Sequence, residues 1–557
     1  MKQAMRWGCT LLLLFCLAHA ESIVPFSPKP ETQPKITLSF LRSKPKGIVR
    51  DFYIWVFLGQ DISKAEADAA HKLVHRHNSQ LYGKYFKKSS SRTSENKTAL
   101  GRKTICQRMS LGELLKQDAQ CIGYALKLSD ASTLPQNKIK EIATKIAKTN
   151  PKLSAQMQIL ASKAPLTTLL KSTPARFAEI FNGVDLSYRV QYLDQKIAPE
   201  RLESLANQNN SAFSRLLQII IMNPNYPNLH ASLARTTKIT APDSKVLFYL
   251  GLNALKLNQK KQAIVYFERS AKKLKDPIMR DRIHFWLYLA TGNPAYFQKL
   301  AQSGFPSIYA LYATQKLKQK QNFNIAYDVF DSKPAATSRF DITDPFAWLQ
   351  MQTTIRKDVA AALPQLRFSN TEPHYALAMR RLHQFRVYYY IRPYKEFFGI
   401  YDTDTQALMY AIGLQESFFI PASISHAYAL GMMQIMPFNV ERIAKKLGET
   451  PNMFAMFDPR HNIRYAEFFL RDIRTEFGEP IFVAYAYNGG SGFMRQIKER
   501  KDLFRKDNPL DPWFSLEYIP YKETREYGQR VLANYILYQR AFGKDLQVED
   551  VLQRLLR

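Results

Sequence analysis

From about residue 50 to residue 320, apolar positions recur at intervals of three and four, and strand-like alternation is scarce. That spacing predicts helices almost throughout this stretch. Its clearest repeat-like unit starts near Lys245: Leu250-Gly251 is followed by Ala263 and Phe267, and Pro277 closes the unit. Small residues at a helix crossing, with an aromatic filling the gap, partly match the tetratricopeptide pattern. Residues 283–289 supply a further helix that Gly292-Asn293-Pro294 ends. The expectation is a superhelix of α-hairpins. A basic, Ser-rich interruption at 87–97 reads as a mobile loop.

Between 319 and 345 the helical pattern gives way to polar, aromatic and proline-containing sequence, a natural boundary. Helical spacing returns between Pro345 and Phe398 as a linking subdomain. Beyond it the punctuation is sharper. Asp404 or Thr405 caps a helix running to about Phe418, and Asp458-Pro459 is a capping acid followed by proline at the first helical position. Pro480 opens a short helix that Asn488-Gly489-Gly490 breaks, and a long helix begins near Lys522. Tyr527, Val531, Tyr535 and Tyr538 follow helical spacing there and read as core.

A chain of 557 residues exceeds one ordinary core, and at about 100–200 residues per domain it divides into roughly three units. Its first twenty residues resemble a secretory leader: Lys2 and Arg6, then a short apolar run, then Ala18-His19-Ala20. The run is too short to span a bilayer comfortably, and no later segment is apolar enough to do so. Phe15 before Cys16, and Arg6 three before Cys9, fit a lipoprotein signal poorly. The expected protein is therefore exported, to the periplasm, and soluble. The expected divisions are a leader at 1–20, a superhelical domain at 21–325, a linker at 326–397 and a catalytic domain at 398–557.

Cleavage after Ala20 leaves Cys106 and Cys121 in an oxidising compartment, either bonded to each other or as two buried thiols. It also lowers the 79 basic residues to 77 against 47 acidic ones, so about +30 of the formal charge of +32 stays. Such a charge favours a polyanionic partner, and export argues against nucleic acid. No zinc-binding His-Glu-x-x-His, phosphate-binding loop or dinucleotide fingerprint occurs, and neither metal nor cofactor is expected.

Chemistry centres on Glu416. Ile412, Met409 and Phe419 share its helical stripe, so the carboxylate belongs to an apolar face and its pKa should rise, as a general acid requires. About fifteen residues later comes Gly431-Met432-Met433-Gln434-Ile435-Met436-Pro437, offering close backbone approach, an adaptable apolar wall and an amide. Ala486-Tyr487-Asn488-Gly489-Gly490 adds a phenol and an amide at a tight turn. Separately these pieces read as packing and turn chemistry.

In this order, together with Glu517-Tyr518-Ile519-Pro520 leading into Glu523-Thr524-Arg525-Glu526-Tyr527, they resemble the soluble lytic murein transglycosylases across roughly 400–540. The resemblance implies an all-α protein: an N-terminal superhelix, a linking helical unit and a goose-type lysozyme-like catalytic domain. It also implies cleavage of the β-1,4 bond between N-acetylmuramic acid and N-acetylglucosamine with formation of a 1,6-anhydromuramyl end. Glu416 would act as acid and then as base. Ser417 would hydrogen-bond near it; Ser425, Gln434 and Met436 would line sugar subsites; Tyr487 would bond the carboxyl or substrate; Glu517 would contact substrate. Asn488 would hold its turn, and His426 would sit at the rim. Tyr428, Leu430, Tyr485 and Gly489 depart from the family's usual residues, and the first two put subsite shape in question. The implied partners are peptidoglycan strands and other cell-wall enzymes, with no nucleic acid; contact with a membrane surface stays open. The rival readings are a hydrolase, which would need a second carboxylate such as Glu517, and a wall-binding scaffold without catalysis.

Overall fold

A computed structural model describes residues 33–89, 99–274, 276–335 and 337–557. The expected leader, with Cys9 and Cys16, and most of the expected mobile loop at 87–97 lie outside the described residues.

The protein is all-α but for two three-residue strands among the described residues. Helix α1 (Ile48–Phe57) is buried over most of its length, and a long series of short helices follows. Within that series α2 (Ser244–Lys256) and α3 (Lys260–Lys272) form the expected hairpin. Asp243 caps α2 by accepting from Val246 N at 2.9 Å. A Cβ on Gly251 would lie 2.6 Å from the Phe267 ring, so only glycine permits this crossing. Pro277, read from sequence as closing the unit, instead opens the next helix, α4 (Pro277–Thr291), which ends at Gly292 with φ +70°. Cys106 and Cys121 are disulfide-bonded, with Cα atoms 5.5 Å apart, tying helix Ala99–Arg108 to helix Ala119–Ala125.

The break at 319–345 holds the first of the two short strands. Strand β1 (Asn324–Ala326) pairs in parallel with β2 (Val387–Tyr389), Ile325 facing Tyr388. The helices between them pack around Trp348, Met351, Ile355 and Leu366 in a small separate core. Ile420 and Ala422, just beyond Glu416, belong to that same core.

The helices of the C-terminal region that place the site are α5 (Thr403–Glu416), α6 (Pro437–Leu447), α7 (Pro459–Phe477), α8 (Pro480–Gly489), α9 (Trp513–Glu517) and α10 (Lys522–Ala541). The cap of α5 is Asp402, two or three residues before the expected Asp404 or Thr405; its Oδ1 accepts from Asp404 N and Thr405 N. Asp458 and Pro459 start α7 as expected. Helix α10 packs across both α5 and α8. Tyr485 of α8 fits there because a Cβ on Gly528 of α10 would fall 2.1 Å from its ring. The large residue at 485 is thus matched by the absent side chain opposite.

The main apolar core runs without interruption from α1 through the superhelix into this region. Two seams carry the join. At one, Phe52 and Trp55 of α1 pack against Tyr428, edge-on and tilted, with centroids 5.9 and 5.8 Å apart. At the other, α4 meets α9 around a buried ion pair.

Candidate active site

Helix α5 delivers Glu416 as its last residue. Met409, Ile412 and Phe419 are fully buried, as the apolar stripe requires. Solvent reaches part of the Glu416 side chain, yet dense protein surrounds its carboxyl. Burial raises its pKa from 4.5 to about 7, against the opposing pull of one hydrogen bond, and the charge of Glu523 adds to the rise. That hydrogen bond comes from Tyr527 of α10, whose hydroxyl donates to Glu416 Oε1 at 2.7 Å. Burial, helped by the Glu416 charge, holds the Tyr527 phenol far above its usual range, so it stays a donor at any ordinary pH. Tyr527 is core, as its helical spacing predicts, and also the direct partner of the acid. The spacing alone carries no sign of that second part; the Glu-Thr-Arg-Glu-Tyr motif it ends is the nearest signal.

The loop after α5 folds over the helix end. Ser417 Oγ donates to Met432 O at 2.8 Å and accepts from Ile420 N at 3.0 Å. It therefore welds the chain beside the acid to the 431–437 segment. Ser425 Oγ accepts from Ala429 N at 2.9 Å and from Ala427 N at 3.3 Å, which closes a turn. Leu430 and Ile435 exchange both backbone bonds at 2.9 Å, which forms a tight hairpin. At its tip Gln434 takes φ +52° and donates through Nε2 to Gly431 O at 2.8 Å. Met436, part exposed, leads into α6.

Gly431 is needed for a different approach from the one the sequence suggests. With φ +75°, a Cβ there would lie 2.1 Å from Met456 O and 2.3 Å from Asn462 Nδ2. The backbone comes close to Asn462 rather than to a ligand. Asn462, fully buried on α7, accepts from Met433 N at 2.7 Å and donates to Leu430 O at 3.1 Å and Met456 O at 3.0 Å. This residue, which sequence reasoning missed, fixes the hairpin in place.

Tyr487 donates to Met433 O at 2.6 Å, so it braces the hairpin instead of bonding the carboxyl. It lies close enough that the Glu416 charge adds to the burial that raises its own pKa. Asn488 accepts from Thr524 Oγ1 at 2.8 Å, joining the turn to the start of α10. His426 is exposed and contacts the N-terminal segment, where Asn78 Nδ2 donates to its carbonyl at 3.1 Å. Tyr428, expected to reshape a subsite, is fully buried against α1.

Glu517 requires a correction. It has no exposure and cannot meet substrate in this structure. Arg282 forms an ion pair with its Oε2 and donates from Nε to Oε1 at 3.2 Å; Trp286 Nε1 and Tyr309 Oη donate to Oε1 at 3.2 and 2.6 Å. Burial alone would raise its pKa, but Arg282, the Tyr309 hydroxyl and the charge of Arg525 hold it below the usual range. It is the clamp between α4 and α9. Among the described residues no group of three or more His, Cys, Asp or Glu could hold a metal ion.

One part-buried acid at a helix end, its pKa raised to about 7, thus sits beside a braced hairpin. Residues 401–508 match the family described as Transglycosylase SLT domain, and this stretch of the chain is such a domain. The soluble lytic murein transglycosylase of Escherichia coli (strain K12) is 34% identical over 145 residues, 25% of this chain and 21% of that protein. The match thus spans about a fifth of that relative's length. Membrane-bound lytic murein transglycosylase C of Glaesserella parasuis is 25% identical over 216 residues, covering 36% of this chain and 57% of that one. A solved structure of the lytic transglycosylase Slt from Pseudomonas aeruginosa aligns over 92% of this chain and 89% of its own, with TM-score 0.45 and 16% identity.

Proposed function

We propose that the protein is an exported lytic transglycosylase of peptidoglycan. It cleaves the β-1,4 bond between N-acetylmuramic acid and N-acetylglucosamine and leaves a 1,6-anhydromuramyl end. The observation that carries this reading is the Glu416 carboxyl, raised to about 7 and bonded by Tyr527, inside the stretch that matches the SLT family. A neutral acid there protonates the departing glycosidic oxygen. The resulting carboxylate, stabilised by the Tyr527 hydroxyl, then accepts the proton of the muramyl C6 hydroxyl as that oxygen attacks C1. One group serves twice because the bond from Tyr527 strengthens as charge develops.

The expected leader, the basic surface and the names of the relatives support a periplasmic protein acting on an acidic wall. No helix among the described residues is long and apolar enough to cross a membrane. The division at 21–325, 326–397 and 398–557 is the reading that fits the order of helices, the small separate core and the SLT match.

A hydrolase remains the second reading for one reason: the charge of Glu523, an exposed residue at the start of α10, reaches Glu416. Burial removes Glu517 from that role, so Glu523 is the candidate for activating water. Mass spectrometry of digested wall separates the two, because anhydro ends weigh one water less than hydrolysed ends. Glu416→Gln should abolish turnover and keep wall binding; undiminished digestion by that variant refutes the assignment.

A further inference from the structure

A cavity of about 640 Å³ lies behind the catalytic helix, walled by α2, α4, β2, α10 and the end of α5. Its charge is unusual in where it is left unpaired. Of the cations on its wall, Arg282 is committed to Glu517, Lys522 reaches Glu526 at 3.8 Å, and Lys273 Nζ donates to the carbonyls of Thr240, Ala241 and Pro242. Lys245, Arg380 and Arg530 have no acidic partner within ion-pair distance among the described residues. Arg380 lies over the rings of Phe385 and Phe418, at 5.4 and 5.7 Å. Burial pushes the pKa of both Arg380 and Lys245 down; at Lys245 the charges of Arg525 and Lys522 add to the fall and that of Glu526 opposes it. The acids on the wall are otherwise engaged: Asp243 and Asp276 cap helices through Val246 N and Ile278 N.

Tyr388, Phe305, Ile278, Met279 and Leu414 make much of the remaining wall apolar. A cavity of this size suits a ligand of several hundred Å³, not a lone inorganic anion. Three cations without ion-pair partners, at a wall that is largely apolar, fit a molecule carrying several carboxylates on an aliphatic or peptide frame.

We infer that this cavity is a second binding site, and that its ligand is an acidic peptide carrying several carboxylates. On the function proposed above, on which this inference rests, the peptide stems of the wall have that chemistry, whether still attached to a strand or released. The site also touches the machinery. Gln415 adjoins Glu416, and Gln529, Arg530 and Asn534 share α10 with Tyr527. An occupant contacts both helices that position the acid.

The test uses full-length protein carrying Glu416→Gln, which prevents turnover, titrated calorimetrically with the tripeptide N-acetyl-alanyl-γ-glutamyl-diaminopimelate. Strand-attached stems, as short peptide-bearing glycan, form the second arm and peptide-free glycan the third. Free tripeptide should bind saturably, and Lys245→Gln with Arg530→Gln should weaken it by about tenfold or more. Arg530→Glu alone, at an exposed position, is the second variant should the pair unfold; it too should weaken the tripeptide while leaving peptide-free glycan bound as before. Tripeptide binding unchanged by these variants, matched in affinity by citrate, or absent at millimolar concentration overturns the inference. Anhydro product formation by unaltered protein is scored in parallel. Product without peptide binding removes the cavity site alone, whereas peptide binding without product leaves the site and removes the proposed reaction.

Discussion

The acid at 416 makes a quantitative demand on the pH profile. Its pKa of about 7 stands roughly 2.5 units above the ordinary glutamate value of 4.5, so near pH 8 the protonated fraction is about 300 times larger than an ordinary glutamate would show. If protonated Glu416 is the form that reacts, kcat/KM should be nearly flat below pH 6 and fall about tenfold per unit above pH 8. The bond from Tyr527 opposes the rise, so Tyr527→Phe should move the alkaline limb upward by about one unit while lowering the plateau by roughly 10- to 1000-fold. The same shift links to stability. Because the folded pKa is raised, the native state binds a proton that the unfolded chain has lost between pH 4.5 and about 7. The stabilisation belonging to the neutral acid is complete below 4.5 and is lost as pH rises to 7, by about 3 kcal/mol at most. Glu416→Gln abolishes that titration, so the difference in melting temperature between variant and parent should grow over the same window and then level off. Parallel scans by calorimetry from pH 4 to 8.5, beside release of soluble fragments from purified wall, measure both. A difference in melting temperature that is independent of pH, with activity still rising past pH 8, would refute burial as the source of the acid's reactivity.

Three further outcomes follow from the geometry. Gly431→Ala forces a Cβ against Met456 O at a positive φ, and should cost about 2 kcal/mol or more in thermal unfolding and release the hairpin that Asn462 holds. Arg282→Met leaves the Glu517 carboxylate buried and unpaired, a loss of about 3–5 kcal/mol, whereas Arg282→Met with Glu517→Leu should recover much of it; melting of the single and double variants decides. Since Glu517 has a lowered pKa, the clamp's contribution is whole above the ordinary glutamate value of 4.5 and is lost as pH falls below it through the lowered folded pKa. Replacing Cys106 and Cys121 with serine should lower urea resistance by about 3 kcal/mol while leaving wall digestion intact, because the bond closes a span of 15 residues far in sequence from Glu416.

Local order could be read from the residues wherever it was written locally. Asp458-Pro459 caps and opens α7, Pro480 opens α8, and Gly251 with Phe267 marks a helix crossing. Glu416 could be found because the apolar stripe around it and the motifs that follow it lie within a short span. What eluded that reading depends on distant partners. Glu517 carries the outward marks of a substrate-binding acid, and only its meeting with Arg282, 235 positions earlier, shows it to be buried. Tyr428 resembles a groove residue until α1 arrives to cover it, and Asn462 lies on a helix whose pattern gives no hint of the carbonyls it collects. The pairing of β1 with β2 joins segments 63 positions apart, too short to alternate visibly.

The ion pair between α4 and α9 bears on how far the C-terminal lobe can stand by itself. A fragment begun near residue 398 would forfeit Arg282, Trp286 and Tyr309 together, leaving a naked anion in the middle of what had been a sealed surface. Such a piece would need a neutral replacement at 517 before its autonomy could be judged, since poor solubility of the unaltered fragment would reflect an abandoned charge and not an inability of the lobe to fold.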